Sequence, residues 1–484
     1  MTTKPMNMIV IISDEHNKLM SGCYGHKLVK TPNIDSLASN GVRFTNAYCS
    51  SPICVPSRAS LATGRYVNET GHWDNATPYC GEVDSWGHRL IEQGHEVTSI
   101  GKLHYRRDED SNGFSQQLNS LHVVGGTGDL FSLVRDNFEP KISNRKKIQD
   151  AGRGETGYTR YDQSIGDDAV NFIQNKAGHN EKPWVLFVSF VTPHFPLTAP
   201  KEFYDLYNED EISLPADYTL SERPSHPALD MYRHISGMYE DFSQEEIRRA
   251  IVAYYGLCSF MDDQVGRVIG AVKEAGLSEN TRIIYTSDHG DTLGEHGLWF
   301  KSTMYDGSVS IPMIVSGPDL PKGKKENALV SMVDLFPTII EGVGAELDAK
   351  KDSDLPGTSL FTISEGTIDP ERVVFSEYHA SGSVTGTFMV RYKNFKLIYY
   401  VGFRPQLFDL DADPGEFSDL AENEKYADAL STCIHKLYCI CNPELIDKIV
   451  KNNQYDRIVQ NGGRLKLLEG GYTIPYTPAP SKFI

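Results

Sequence analysis

The 484-residue sequence has no apolar run of membrane-spanning length; its longest ones, such as Met8 to Ile12, are the size of a buried strand. The first residues, Met1-Thr2-Thr3-Lys4-Pro5-Met6-Asn7, lead into that run without signal-peptide anatomy. Positive charge is also short: 47 Lys and Arg face 65 Asp and Glu, a net charge of −18. Such an acidic surface argues against nucleic acid or an anionic membrane as partner, and an anionic substrate would need a local basic pocket. The eight cysteines (Cys23, Cys49, Cys54, Cys80, Cys258, Cys433, Cys439 and Cys441) follow no disulfide or metal spacing, and Cys439-Ile440-Cys441 is too tight for a zinc pair. The expectation is a cytoplasmic protein. Internal repeats and low-complexity tracts are missing as well. What remains is an ordinary globular composition, 39% hydrophobic and 23% charged, in a chain long enough for one large domain and a smaller one.

The apolar runs Met8 to Ile12, His95 to Ile100, Trp184 to Val191, Thr281 to Thr286 and Ile311 to Val315 predict strands buried on both faces. Helical patterns lie between them, at Pro32 to Gly41, up to Leu90–Gly94, and at Val333 to Ile340. The longest opens with the capping box Ser243-Gln244-Glu245-Glu246 and runs through Ile251, Tyr254, Cys258 and Met261 to Val272. Strands alternating with helices imply an α/β fold with a doubly wound, mostly parallel sheet. Ligands of such sheets gather outside the carboxyl ends of the strands. Asp14, Lys102, His194 and the pair Asp288-His289 each directly follow a predicted strand, so separated parts of the chain aim polar groups at one sheet edge.

Residues 105–165 and 198–242 are weakly patterned and predict loops. Past residue 370, Val373 to Glu377, Thr387 to Arg391 and Phe395 to Tyr400 predict short antiparallel strands, Phe408 to Glu416 a turn-rich loop, and Ala427 to Tyr438 a helix. The expected organisation is a catalytic α/β domain over 1–370, a small α+β subdomain over 371–450, and an extended tail over 451–484. The tail's end, Tyr476-Thr477-Pro478-Ala479-Pro480, offers apolar handles for docking on a neighbouring subunit of a homo-oligomer.

One segment stands at the centre of this frame: Cys54-Val55-Pro56-Ser57-Arg58-Ala59-Ser60-Leu61-Ala62-Thr63-Gly64-Arg65. Pro56 suits a first helical turn and Gly64 a left-handed end, so Cys54 sits just before a helix N-terminus with Arg58 one turn on. That setting favours a thiolate or another anion. Taken alone, Cys54 reads as a small buried cysteine ahead of an ordinary helix. At the sheet edge, the acidic groups Asp14-Glu15 and Asp288 with one imidazole suit a hard divalent ion better than zinc.

The run Cys-x-Pro-Ser-Arg followed by Leu-x-Thr-Gly-Arg resembles the signature of the type I sulfatases of the alkaline phosphatase superfamily. Ser287-Asp288-His289-Gly290-Asp291 through Lys301 resembles that family's second landmark; Gly101-Lys102-Leu103-His104 and Thr192-Pro193-His194-Phe195-Pro196 resemble two shorter ones. The resemblance implies an alkaline-phosphatase-like fold and conversion of Cys54 to formylglycine (3-oxoalanine) by a formylglycine-generating enzyme. It further implies one divalent ion, Ca2+ with Mg2+ or Mn2+ as alternatives, on Asp14, Glu15, Cys54, Asp288 and His289. Glu15 departs from the family's second aspartate, and it could bind the ion directly, bind through water, or leave that position weakened. Arg58, Lys102, His104, His194 and Lys301 would complete the catalytic set. The implied reaction hydrolyses a small organic sulfate monoester through a covalent sulfo-enzyme, His194 and Lys301 protonating the leaving alcohol and His104 serving as base; a phosphonate monoester or phosphodiester hydrolase would use the same site. Trp73, Asn75 and His379 are candidates for contacting the leaving group, although a lone tryptophan is more often core.

Overall fold

The computed structural model describes residues 4–135, 139–140, 142–176, 182–366, 369–469 and 477–484. Tyr476, the first residue of the tail motif, lies outside them.

Strand Asn7–Asp14 is buried throughout because its alternating side chains feed two cores: Met8, Val10 and Ile12 enter one, Ile9 and Ile11 the other. Val185–Pro193 does the same on one side of it, and Thr281–Ser287 on the other. Eight strands form the main sheet, in the order Lys324–Ser331, Gly41–Tyr48, Met313–Ser316, Thr281–Ser287, Asn7–Asp14, Val185–Pro193, Val97–Lys102, Gln116–Leu121. All pairings are parallel except those of Met313–Ser316, which runs against both neighbours. The mostly parallel sheet therefore matches expectation, with one strand reversed. Helix Gln244–Glu274 covers one face through Met261, Val265, Val268 and Val272. Its predicted capping box is formed, Ser243 Oγ accepting from the Glu246 amide at 3.2 Å and the Glu246 carboxylate accepting from the Ser243 amide at 2.8 Å.

Several predicted loops are ordered elements. Gln116–Leu121 is a strand within 105–165, concealed because it lies at the sheet edge, half-exposed and polar. Helix Gly157–Lys176 begins in the same stretch, its buried face carried by Tyr158, Tyr161, Ile165, Ala169 and Phe172. Pro227–Ile235 is a helix within 198–242, burying Leu229, Tyr232 and Ile235. The helix expected from Val333 is a short 3-10 turn, Met332–Asp334, followed by Leu335–Gly342.

The separate small sheet has four consecutive antiparallel strands, Val373–Tyr378, Thr387–Tyr392, Phe395–Tyr400 and Gln406–Asp409. The last starts in front of, and runs into, the stretch expected to be a loop. One face of this sheet joins the main core through Val374, Met389 and Ile398; the other is covered by Cys433 and Leu437 of helix Ala427–Ile440. Helix Pro443–Gln460 runs straight through residue 450, and Arg464–Glu469 adds a further turn within the expected tail.

Candidate active site

The carboxyl ends of Asn7–Asp14, Val97–Lys102, Val185–Pro193 and Thr281–Ser287 lie side by side, which brings Asp14, Lys102, His194 and Asp288-His289 to one edge as expected. Helix Cys54–Thr63 lies against this edge, and all ten of its residues are buried. Ile53 is its N-cap, so Cys54 is its first residue and not the one before it. Gly64 closes it at φ +67°, and a Cβ there would lie 2.7 Å from Phe336 Cβ, so both backbone and space require glycine.

Arg58 is the tie between these parts. Its Nε donates to Asp288 Oδ2 at 2.8 Å, Nη2 to Asp14 Oδ2 at 3.2 Å, and Nη1 to the Lys102 carbonyl at 2.7 Å and to Ser189 Oγ at 2.9 Å. Lys102 Nζ also donates to Asp14 Oδ2. Burial alone would raise the Asp14 carboxyl, but Lys102, then His194, Lys301 and Arg58, hold it well below its ordinary range. Arg58 is thus occupied by carboxylates and does little for Cys54. Burial, followed by the nearby Asp14 charge, pushes the Cys54 thiol up to about 12, against the pull of the helix start towards an anion.

Asp14, Cys54, Asp288 and His289 each direct one ligand atom into a common space, all four within 4.8 Å of one another and all buried. Cys54 Sγ lies 3.6 Å from Asp14 Oδ1 and 3.3 Å from His289 Nε2; that nitrogen is 3.7 Å from Asp14 Oδ1 and 3.6 Å from Asp288 Oδ1. Donor separations of this size fit donors that share one ion at roughly 2.3–2.6 Å. His289 Nδ1 faces the Gly290 carbonyl at 3.1 Å, so it carries the proton and leaves Nε2 bare for a cation. The residues present fit a divalent ion.

Glu15 stands apart from that quartet and forms a second potential ligand group with Asp14 and His194. Its Oε2 accepts from Lys301 Nζ at 3.0 Å and lies 3.5 Å from His194 Nε2, while Oε1 is buried without a hydrogen-bond partner. Burial raises the Glu15 carboxyl to about 7 despite Lys301. Lys301 Nζ also lies 3.4 Å from Cys54 Sγ; burial works against its charge, but its neighbours Cys54, Glu15 and Asp14 raise its pKa above the usual lysine value. Burial, then Lys301, holds His194 well below 6.5, and burial, then Lys102, does the same to His104.

Of the leaving-group candidates, only Asn75 is tied directly to the Cys54 helix, its Oδ1 accepting from the Val55 amide at 3.1 Å. Trp73 meets the His379 ring edge-on at 5.5 Å, and His379 Nε2 bonds Glu377 Oε2 at 2.9 Å. Trp73, Glu377 and His379 are buried, Trp73 with Val67 and Val450, whereas Asn75 is half-buried; the bonds described for Trp73 and His379 run to each other, to Glu377 and to Gln454 and not to the charged cluster. Ser189 was missed by sequence reasoning, although it is the one hydroxyl residue in the otherwise apolar run Val185-Leu186-Phe187-Val188-Ser189-Phe190-Val191. A lone hydroxyl in a strand buried on both faces is the signal that could have marked it.

A buried cysteine, a group of donors that fits a cation and three fixed positive charges form a cluster suited to the hydrolysis of an anionic ester. Comparison with known proteins narrows this class. A family model described as sulfatase matches residues 6–345, and one described as N-sulphoglucosamine sulphohydrolase, C-terminal, matches 294–441. The choline-sulfatase of Rhizobium meliloti is 31% identical over 437 residues, covering 88% of this chain and 84% of that protein. Human arylsulfatase K is 28% identical, covering 94% and 85%. Among solved structures, the phosphonate monoester hydrolase of Agrobacterium radiobacter superposes with a TM-score of 0.71 at 24% identity, covering 90% of this chain and 95% of its own. The chain belongs to the sulfatase family, as a type I sulfatase of the alkaline phosphatase superfamily. It is a sulfuric ester hydrolase.

Proposed function

We propose that this enzyme is a formylglycine-dependent, Ca2+-binding cytoplasmic sulfatase acting on a small organic sulfate monoester. The observation that carries this reading is the meeting of Cys54 Sγ with Asp14, His289 and Lys301 in one buried space. Asp14, Asp288 and His289 would hold the ion together with the oxygen that replaces Sγ, and Glu15 lies one step away, on the Lys301 side. The ion would neutralise charge on the ester and lower the pKa of the nucleophile. Conversion of Cys54 by a formylglycine-generating enzyme would supply a hydrate with two hydroxyls, one to attack sulfur and one to release sulfate afterwards, a route closed to a thiol.

The remaining roles fall to side chains already in position. Arg58 orients both ligand carboxylates, since its Nε, Nη1 and Nη2 bonds all go to protein acceptors. Lys102 and Lys301 place positive charge on either side of Asp14 and Cys54. His194 and Lys301 share the Glu15 carboxylate and form the side of the pocket suited to handing a proton to the leaving alcohol. His104 is the base for the second hydroxyl. Trp73 and His379 take no direct part and shape the wall behind Asn75.

Parallel kinetics on an aryl sulfate and the matching aryl phosphonate monoester, with converted enzyme and added Ca2+, test the reading. The sulfate is expected to give the larger kcat/KM. A dominant phosphonate activity would move the enzyme to the phosphonate hydrolases.

A further inference from the structure

The C-terminal segment reaches the site within its own chain. Thr477 Oγ1 lies 2.8 Å from His104 Nε2, across 373 residues of sequence. Residues 477–484 are fastened along the start of helix Gly157–Lys176. Tyr158 donates its hydroxyl to the Thr477 carbonyl, and Arg160 Nε donates to the Phe483 carbonyl at 2.9 Å. Phe483 meets the Tyr161 ring at 5.4 Å, and Ala479 is buried in the core cluster that holds Ile165 and Ala169. A Cβ at Gly157 would come to 3.0 Å from Ala479 Cβ, so the strap sits close on the helix. Residues 477–484 thus pack on their own chain.

We propose that Thr477 is a positioning residue for His104: its hydroxyl oxygen accepts a hydrogen bond from Nε2–H and so leaves Nδ1 bare for the reacting group. His104 is 5% exposed, and its Nδ1 is buried with no hydrogen-bond partner. A neutral imidazole has one proton for two nitrogens, and the partner of one nitrogen decides which of them is bare. A hydroxyl can accept as well as donate. Only the Nε2–H form makes the unpartnered nitrogen a proton acceptor, and only an acceptor can serve as base. The backbone holds the ring in place from the other side: His104 adopts φ +60°, and its amide donates to the Leu121 carbonyl at 2.8 Å. Ring position is therefore set by the sheet edge, and tautomer by the strap.

This inference rests on the sulfatase reading only for what His104 does, so its test includes a readout independent of turnover. In the full-length enzyme labelled with 15N-histidine, long-range proton–nitrogen spectra give the tautomer of His104, assigned by the signal that disappears in His104→Gln. The parent is expected to show the Nε2–H form, Thr477→Val to lose it in favour of a mixture, and Thr477→Ser to restore it. In kinetics, Thr477→Val is expected to lower kcat about tenfold or more with KM little changed, within the 10²–10⁴-fold range of a general base, and Thr477→Ser to recover most of it. Circular dichroism and thermal melting check that the variants fold, and deletion of 477–484 serves as the harsher control. An Nδ1–H form in the parent, or Val and Ser variants that behave alike, would overturn the proposal. If no aryl ester is turned over, the sulfatase reading fails while the tautomer still decides this one.

Discussion

Two buried polar clusters sit near the start of helix Cys54–Thr63, and they differ in kind. Around Cys54, carboxylates and cations meet with an orphaned Glu15 oxygen and an orphaned His104 nitrogen, so bonding capacity is left over for something that is not protein. Around Trp73, the Asp74 carboxylate and the His379 carbonyl are joined by Gln454 at 2.9 and 2.8 Å, and Glu377 is taken up by His379 and by the Asn68 amide at 2.7 Å. The first cluster sets three cations, Arg58, Lys102 and Lys301, against three carboxylates, Asp14, Glu15 and Asp288, around four donor atoms close enough to share one ion. The second is tied together by Gln454, His379 and Asn68, although His379 Nδ1 and Asn68 Oδ1 are likewise left without partners. Buried polar residues and orphaned atoms alone do not mark a site; a dense group of charges with donor atoms converging on one ion-sized space does.

The largest effect that would sharpen this contrast is expected from Cys54→Ala. Turnover should fall by about 10⁴-fold or more, as for loss of a covalent nucleophile, while the melting temperature persists and Asp14, Asp288 and His289 still bind Ca2+, more weakly. Loss of folding would instead return Cys54 to a packing role. Lys301→Ala comes next, with kcat down by about 10²–10³-fold, the cost of removing one electrostatic contact to a developing negative charge. Trp73→Ala should act on the other cluster, costing about 3–5 kcal/mol of stability, as for other buried tryptophans, with kcat per folded molecule close to the parent. A raised KM at unchanged stability would break the contrast by putting Trp73 in the substrate pocket.

The smallest effect concerns pH. Burial raises the Glu377 carboxyl to about 8, well above the range of an unfolded glutamate at about 4.3. Between those values the folded chain holds a proton that the unfolded chain has released, so stability falls as pH rises through this window. Glu377→Gln should flatten the decline in melting temperature from mildly acidic pH to pH 8. An unchanged slope would show that Glu377 is not the group responsible.

The first cluster was far more legible in the sequence than the second. Asp14, Lys102, His194 and Asp288 each end an apolar run, and a parallel sheet leaves such residues one place to converge. Glu15 was visible as a departure, but its turn towards Lys301 depends on a backbone at φ +69° that no pattern announces. Edge strand Gln116–Leu121 and helix Pro227–Ile235 were missed because their apolar signal is weak or short. The reversal of Met313–Ser316 was equally hidden, since a buried strand looks the same in either direction. Trp73 and His379 lie 306 positions apart in a contact made through tertiary packing, so nothing local distinguishes a wall from a substrate pocket. Thr477 needed the fold itself, because its partner His104 is contacted from the far end of the chain.

The central claim is that Cys54 is the precursor of the nucleophile and not a thiol in use. Peptide mass spectrometry of the segment carrying Cys54, on enzyme purified from its native host and assayed for sulfate release in the same preparation, tests it most directly. The predicted result is formylglycine or its hydrate at position 54, in proportion to the activity of each fraction. Unmodified cysteine at position 54 in fully active enzyme would contradict the account.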